Sequence, residues 1–88
     1  MEEIIKEVLK GKLDSLDMNV YSVALEQEEN NLFLRIALDG EKLDLDSIVE
    51  ATKIIDPIVS ETVDSKHLIK DAYVLEVYGR SKGKDEEN

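Results

Sequence analysis

The chain has no cysteine and a single histidine, His67, in 88 residues. Without thiols there is neither a disulfide nor a thiolate metal site, and one imidazole cannot build a multi-histidine zinc centre. Long hydrophobic runs are missing too. None exceeds the four residues of Ala72-Tyr73-Val74-Leu75, whereas a helix crossing a bilayer needs roughly 20 apolar residues. The opening Met1-Glu2-Glu3-Ile4-Ile5-Lys6 is acidic where a secretory leader is basic. The expectation is a soluble, cytoplasmic protein with no membrane contact. Basic side chains are scarce as well: 11 against 21 acidic ones, a net charge of −10. Such a surface repels a phosphate backbone, because nucleic-acid affinity comes largely from Lys and Arg displacing counterions. Tight autonomous binding of RNA or DNA is therefore disfavoured. Acidity serves solubility first, and it also steers basic partners toward the surface.

What is present fits one domain with one core, at a length that buries only about 60–65% of the unfolded surface. Ile4, Ile5, Val8, Leu9, Leu13 and Leu16 recur at helical spacing and predict one amphipathic helix, with Gly11 weakening its middle but leaving the pattern intact. The period then changes to two. From Val20 to Glu26, Tyr21, Val23 and Leu25 share one predicted face, with Val20, Ser22, Ala24 and Glu26 opposite. After the polar cluster Glu28-Glu29-Asn30-Asn31, Leu32, Leu34, Ile36 and Leu38 alternate with Phe33, Arg35, Ala37 and Asp39. Two alternating runs joined by a short polar loop predict an antiparallel hairpin.

Asp44 is placed to cap a second helix, with Asp46 and Glu50 near its positive end. The apolar stripe Ile48, Val49, Thr52, Ile55, Val59 and Val63 is interrupted by Pro57, which predicts a kink or two abutting helices near Asp56. Asp64-Ser65-Lys66-His67 reads as a loop or frayed end. Ala72 to Tyr78 predicts a third strand, Tyr73, Leu75 and Val77 facing one way and Val74, Glu76 and Tyr78 the other. The last ten residues, 79–88, carry no aliphatic or aromatic side chain and are expected to form a disordered tail beyond a folded domain of residues 1–78. The order α-β-β-α-β defines an α+β class: a two-layer sandwich with two helices on one face of a three-stranded sheet.

No constellation for catalysis emerges. His67 sits in a polar stretch with no serine placed beside it, and is expected to be exposed or capping. Asp39, Glu41, Asp44 and Asp46 fail the calcium-loop pattern, because Gly40 falls at the second position rather than the sixth. A helix cap and a solvated turn account for these carboxylates. Neither a Gly-x-Gly-x-x-Gly nor a Walker lysine loop is present, and the Gly-x-x-Gly clamp of a KH domain is absent. No enzyme activity and no cofactor are expected. The sheet face turned away from the helices, with Val20, Ala24, Phe33, Arg35, Ala37, Val74, Glu76 and Tyr78, is more apolar than a solvated face requires. It could dock a partner, a further domain or a second copy of the chain.

Three segments resemble the N-terminal domain of the RimP ribosome maturation factors. Asn31-Leu32-Phe33-Leu34-Arg35-Ile36-Ala37-Leu38-Asp39 is similar to that family's second strand, Leu43-Asp44-Leu45-Asp46-Ser47-Ile48-Val49-Glu50 to the start of its second helix, and Tyr73-Val74-Leu75-Glu76-Val77 to its third strand. Leu16-Asp17-Met18-Asn19-Val20 falls at the family's link from first helix to first strand. The family continues with Ser-Ser-Pro-Gly, where this chain has Tyr78-Gly79-Arg80-Ser81-Lys82-Gly83-Lys84. It also has a second, C-terminal domain, with no counterpart after the tail here. The resemblance implies a non-enzymatic factor that assists maturation of the small (30S) ribosomal subunit by binding it or a basic ribosomal protein. Arg35, Arg80, Lys82 and Lys84 could add weak rRNA contact once docking supplies affinity. The candidate partner-binding residues are Phe33, Arg35, Val74, Tyr78 and Arg80. The alternative is a self-associating interaction or regulatory module, a homodimer, using the open sheet face.

Overall fold

The structure, a computed structural model, describes residues 1–80. Helix α1 (Glu2–Leu9) leads through a 3-10 turn (Asp14–Leu16) into strand β1 (Met18–Glu28). Strand β2 (Asn31–Gly40), helix α2 (Leu45–Lys66) and strand β3 (Val74–Gly79) follow. The strands lie in the order β1-β2-β3, with β1 antiparallel and β3 parallel to β2. This is the two-layer α+β arrangement that the alternation predicts, in a mixed sheet. The parallel pair follows from α2, a crossover helix about 33 Å long.

The first helix is shorter than its apolar spacing predicts. The chain leaves the helix at Lys10, whose backbone is extended (φ −61°, ψ 127°), and Gly11 at φ +78° completes a turn that the Lys12 amide closes on the Leu9 carbonyl at 3.0 Å. Leu13 remains buried all the same, delivered to the core by the turn that follows. In α2, the Asp44 carboxylate accepts from the Ser47 amide at 2.9 Å, the expected cap. Pro57 does not split the helix. Pro57 and Lys53, whose carbonyl loses its intrahelical donor, are both exposed, so water can serve that carbonyl. Nor do residues 64–66 fray: α2 continues to Lys66, and His67 closes it at φ 54°. The Leu68 amide donates to the Val63 carbonyl at 3.1 Å across that turn.

Between the layers, Ile5, Leu9, Leu13, Met18, Leu34, Ile36, Leu38, Ala51, Ile55, Val59 and Val63 form one buried cluster. Leu34, Ile36 and Leu38 of the central strand are wholly covered. Among the described residues the one buried polar side chain, Thr62, donates its hydroxyl to the Ile58 carbonyl at 2.7 Å. A domain of this size holds about 0.05–0.15 kcal/mol per residue, and truncating one such isoleucine to alanine costs about 2–5 kcal/mol. The core therefore has little to spare.

The β1–β2 register shifts between Val20 and Ser22 and leaves Tyr21 as an extra residue. This bulge corrects the simple alternation. Val20, assigned by period two to the open face, packs against the core with Val23 and Leu25. Tyr21, assigned to the core side, is about half exposed, at 49%. At the other end, the strand expected to stop at Tyr78 continues through Gly79, and the Arg80 amide donates to the Leu38 carbonyl at 2.8 Å. Lys82 and Lys84 lie outside the described residues.

Candidate functional site

Strand alternation and the β1-β2-β3 order gather the sequence-derived candidates onto the sheet face away from the helices. Phe33 pairs in register with Val74, Arg35 with Glu76, and Ala37 with Tyr78. Val74 and Tyr78 are exposed at 50% and 43%, whereas Phe33 is half-buried. Arg80 continues the same row beside Asp39, its guanidinium 3.4 Å from that carboxylate and 3.9 Å from the centre of the Tyr21 ring. All five candidates thus share one surface, and Tyr21 joins them through the bulge. Alternation alone could not have found Tyr21, because an inserted residue inverts the phase.

Arg35 occupies the middle of this face on the central strand. Its guanidinium reaches Glu26 at 2.7 Å, Glu28 at 2.8 Å and Glu76 at 2.5 Å, one or more carboxylates from each flanking strand. It also lies 4.5 Å from the centre of the Phe33 ring. Hydrogen bonds to Glu28, then Glu26 and Glu76, raise the Arg35 pKa above its ordinary value. The reciprocal bond, reinforced by the Arg35 charge, holds Glu28 below the ordinary carboxylate range. A guanidinium so occupied is poorly placed to take a phosphate. With Glu26, Glu28, Glu76 and Asp39 against Arg35 and Arg80, the face keeps a surplus of negative charge.

The remaining candidates from the sequence are scattered. His67 is exposed at the far end of α2, serving as its cap through the backbone. Asp44 caps α2, and the Ser47 hydrogen bonds, with Lys42 nearby, lower its pKa. Asp39 accepts from the Gly40 amide at 2.9 Å and pairs with Arg80. Among the described residues no group of three or more metal-ligating side chains converges. A groove of about 500 Å³ runs between α1 and β1 with Glu3, Lys6, Glu7 and Lys10 along it, and offers no convergent chemistry. No helix of the described residues is long and apolar enough to cross a membrane.

What the fold and its one distinctive surface define is a small two-layer α+β domain whose polar chemistry lies on a flat sheet face rather than in a pocket. A family model, the RimP N-terminal domain, matches residues 8–80. The chain belongs to that family, one of ribosome maturation factors rather than enzymes. The match begins within α1 and ends at Arg80, so it spans the hairpin, α2, β3 and every candidate on the open face.

Proposed function

We propose that this domain assists maturation of the small (30S) ribosomal subunit as a non-enzymatic binding factor, and that the open sheet face is its contact surface. The observation that carries the reading is the family match across the whole sheet and α2. The physical character of the face supports it. Exposed Val74, Tyr78 and Tyr21 supply apolar contact area, and the carboxylates around Arg35 leave excess negative charge. A chain at −10 attracts basic ribosomal proteins and repels bare rRNA. The principal partner in this reading is a basic protein of the assembling particle, with rRNA contact secondary, and the place of action is the cytoplasm.

Co-sedimentation with small-subunit precursors from the same cells, at low and moderate salt, tests this. Retention on precursors above that on mature subunits, weakening with salt, is expected. A folded protein that stays in the supernatant with both would overturn the reading. The exposure of Val74 and Tyr78 beside the sheet edge favours a second reading, self-association through the same face. A monomeric mass by light scattering at high concentration, unchanged by Phe33→Lys, would remove it.

A further inference from the structure

The two edges of the sheet are treated differently. Along the β1 edge, the Glu2 carboxylate accepts from the Leu25 amide at 2.9 Å, and the Lys6 ammonium donates to the Tyr21 carbonyl at 3.3 Å. Helix α1 thereby closes an edge that another chain could otherwise extend. Among the described residues the β3 edge has no such cover. The Arg80 amide donates inward to Leu38, and with the alternation of a strand this turns the backbone groups of Val74, Glu76 and Tyr78 toward β2. Those of Leu75 and Val77 point away from the sheet. Among the described residues nothing outside the sheet ladder bonds to either.

The side chains beside that edge are equally unfinished. Leu75 and Val77 face the helices yet are only half-buried, whereas their neighbours Leu34 and Ile36 on β2 are fully covered. The strand Val74-Leu75-Glu76-Val77-Tyr78-Gly79 contains no proline and no lysine, the usual guards of an exposed edge. Its one charge, Glu76, is paired inward with Arg35.

We propose that the β3 edge accepts an extended segment of a basic partner as a fourth strand. An added strand alternates between the two faces. Residues on the helix side would cover Leu75 and Val77 and should be apolar. Residues on the open side would lie beside Val74, Glu76 and Tyr78, over the negative surplus of that face, and should be cationic. The occupant is thus a segment alternating apolar and Lys/Arg side chains. A second copy of this chain is disfavoured, since it would bring another −10 charge to the edge. The inference goes beyond the ribosomal reading and does not depend on it.

The probe is a short capped peptide alternating valine and lysine, titrated into the folded protein while amide hydrogen exchange is followed. The Leu75 and Val77 amides are expected to become protected. Two N-methylated versions give the decisive comparison. In antiparallel addition the valine amides face β3, so methylating them should weaken binding by roughly tenfold or more while methylating the lysine amides spares it. In parallel addition the two sets exchange roles. Equal binding by both versions would overturn the proposal, as would binding that leaves Leu75 and Val77 unprotected. So would a valine–glutamate peptide that binds as well as the valine–lysine one, or protection of the edge by dimerisation without peptide.

Discussion

Arg80 lies over the Tyr21 ring, 3.9 Å from its centre, and so ties the end of the described chain to the bulge in β1. Its amide holds Leu38 and its guanidinium holds Asp39, so one residue links all three strands. A cation stacked on an exposed ring contributes about 0.5–1 kcal/mol. A double-mutant cycle of Tyr21→Leu and Arg80→Met, read by urea denaturation, should return a coupling energy of that size. Fully additive effects would mean that the stack contributes nothing.

Gly40 ends β2 against the turn that opens β1. A Cβ there would lie 2.7 Å from the Asp17 carbonyl oxygen and 3.2 Å from the Met18 side chain. Backbone cannot retreat cheaply, so Gly40→Ala should destabilise by about 1–3 kcal/mol, in the range of overpacked cores. The denaturation midpoint should fall with an unchanged m-value. A midpoint equal to that of the parent would show that the Asp17 turn moves freely.

The acid limb of stability should trace to Glu28 and Asp44. Both carboxyls are held below their ordinary values, Glu28 first by the Arg35 hydrogen bond and Asp44 first by the Ser47 hydrogen bonds. Groups lowered on folding contribute stability that is complete above their unfolded pKa and lost as pH falls through the folded one. The loss therefore begins below about pH 4.5 for Glu28 and below about 3.8 for Asp44, the ordinary values of the two groups. Thermal melts of Glu28→Gln and Asp44→Asn should lie below the parent at pH 7 and converge with it as pH drops. Arg35→Gln should raise the Glu28 pKa in an NMR titration. It should also make the domain more stable with added salt, because three carboxylates would then face one another across the sheet.

Much of this fold is legible in the sequence because burial and period agree. The alternation of Leu32, Leu34, Ile36 and Leu38 against Phe33, Arg35 and Ala37 assigns both faces of β2 correctly, as does that of β3. The errors arise where one residue changes the phase or the backbone sign. Tyr21 is inserted and swaps sides with Val20, and Gly11 adopts a positive φ that hydrophobic spacing cannot register. Of the two outcomes Pro57 predicts, the pair of abutting helices does not occur, since the proline's cost depends on whether the carbonyl it abandons is exposed. Phe33, Arg35, Val74 and Tyr78 of the candidate face follow from alternation, but Arg80, expected in a tail, does not, nor does the convergence of Glu26, Glu28 and Glu76 on Arg35. It requires β2 to lie between β1 and β3 in one register, which is a property of strand order.

The β1–β2 hairpin leaves room for improvement at Glu29. Glu28 pairs with Asn31, so Glu29 and Asn30 form a two-residue turn, and Glu29 takes φ 56° while Asn30 does not have a positive φ. A positive φ at the first central position is the pattern that glycine fits in a tight hairpin. A side chain in the left-handed region costs about 1–2 kcal/mol, and glycine gives back about 0.5–1 kcal/mol of that through its greater freedom when unfolded. Glu29→Gly should therefore stabilise the domain by about 0.5–1 kcal/mol, raising the melting temperature by a few degrees. The exposed Glu29 side chain makes no hydrogen bond or ion pair with the described residues, so no contact is lost in exchange. Glu29→Ala should gain nothing, because alanine meets the same steric cost at positive φ. If alanine stabilised as much as glycine, relief of negative charge rather than of backbone strain would be the cause.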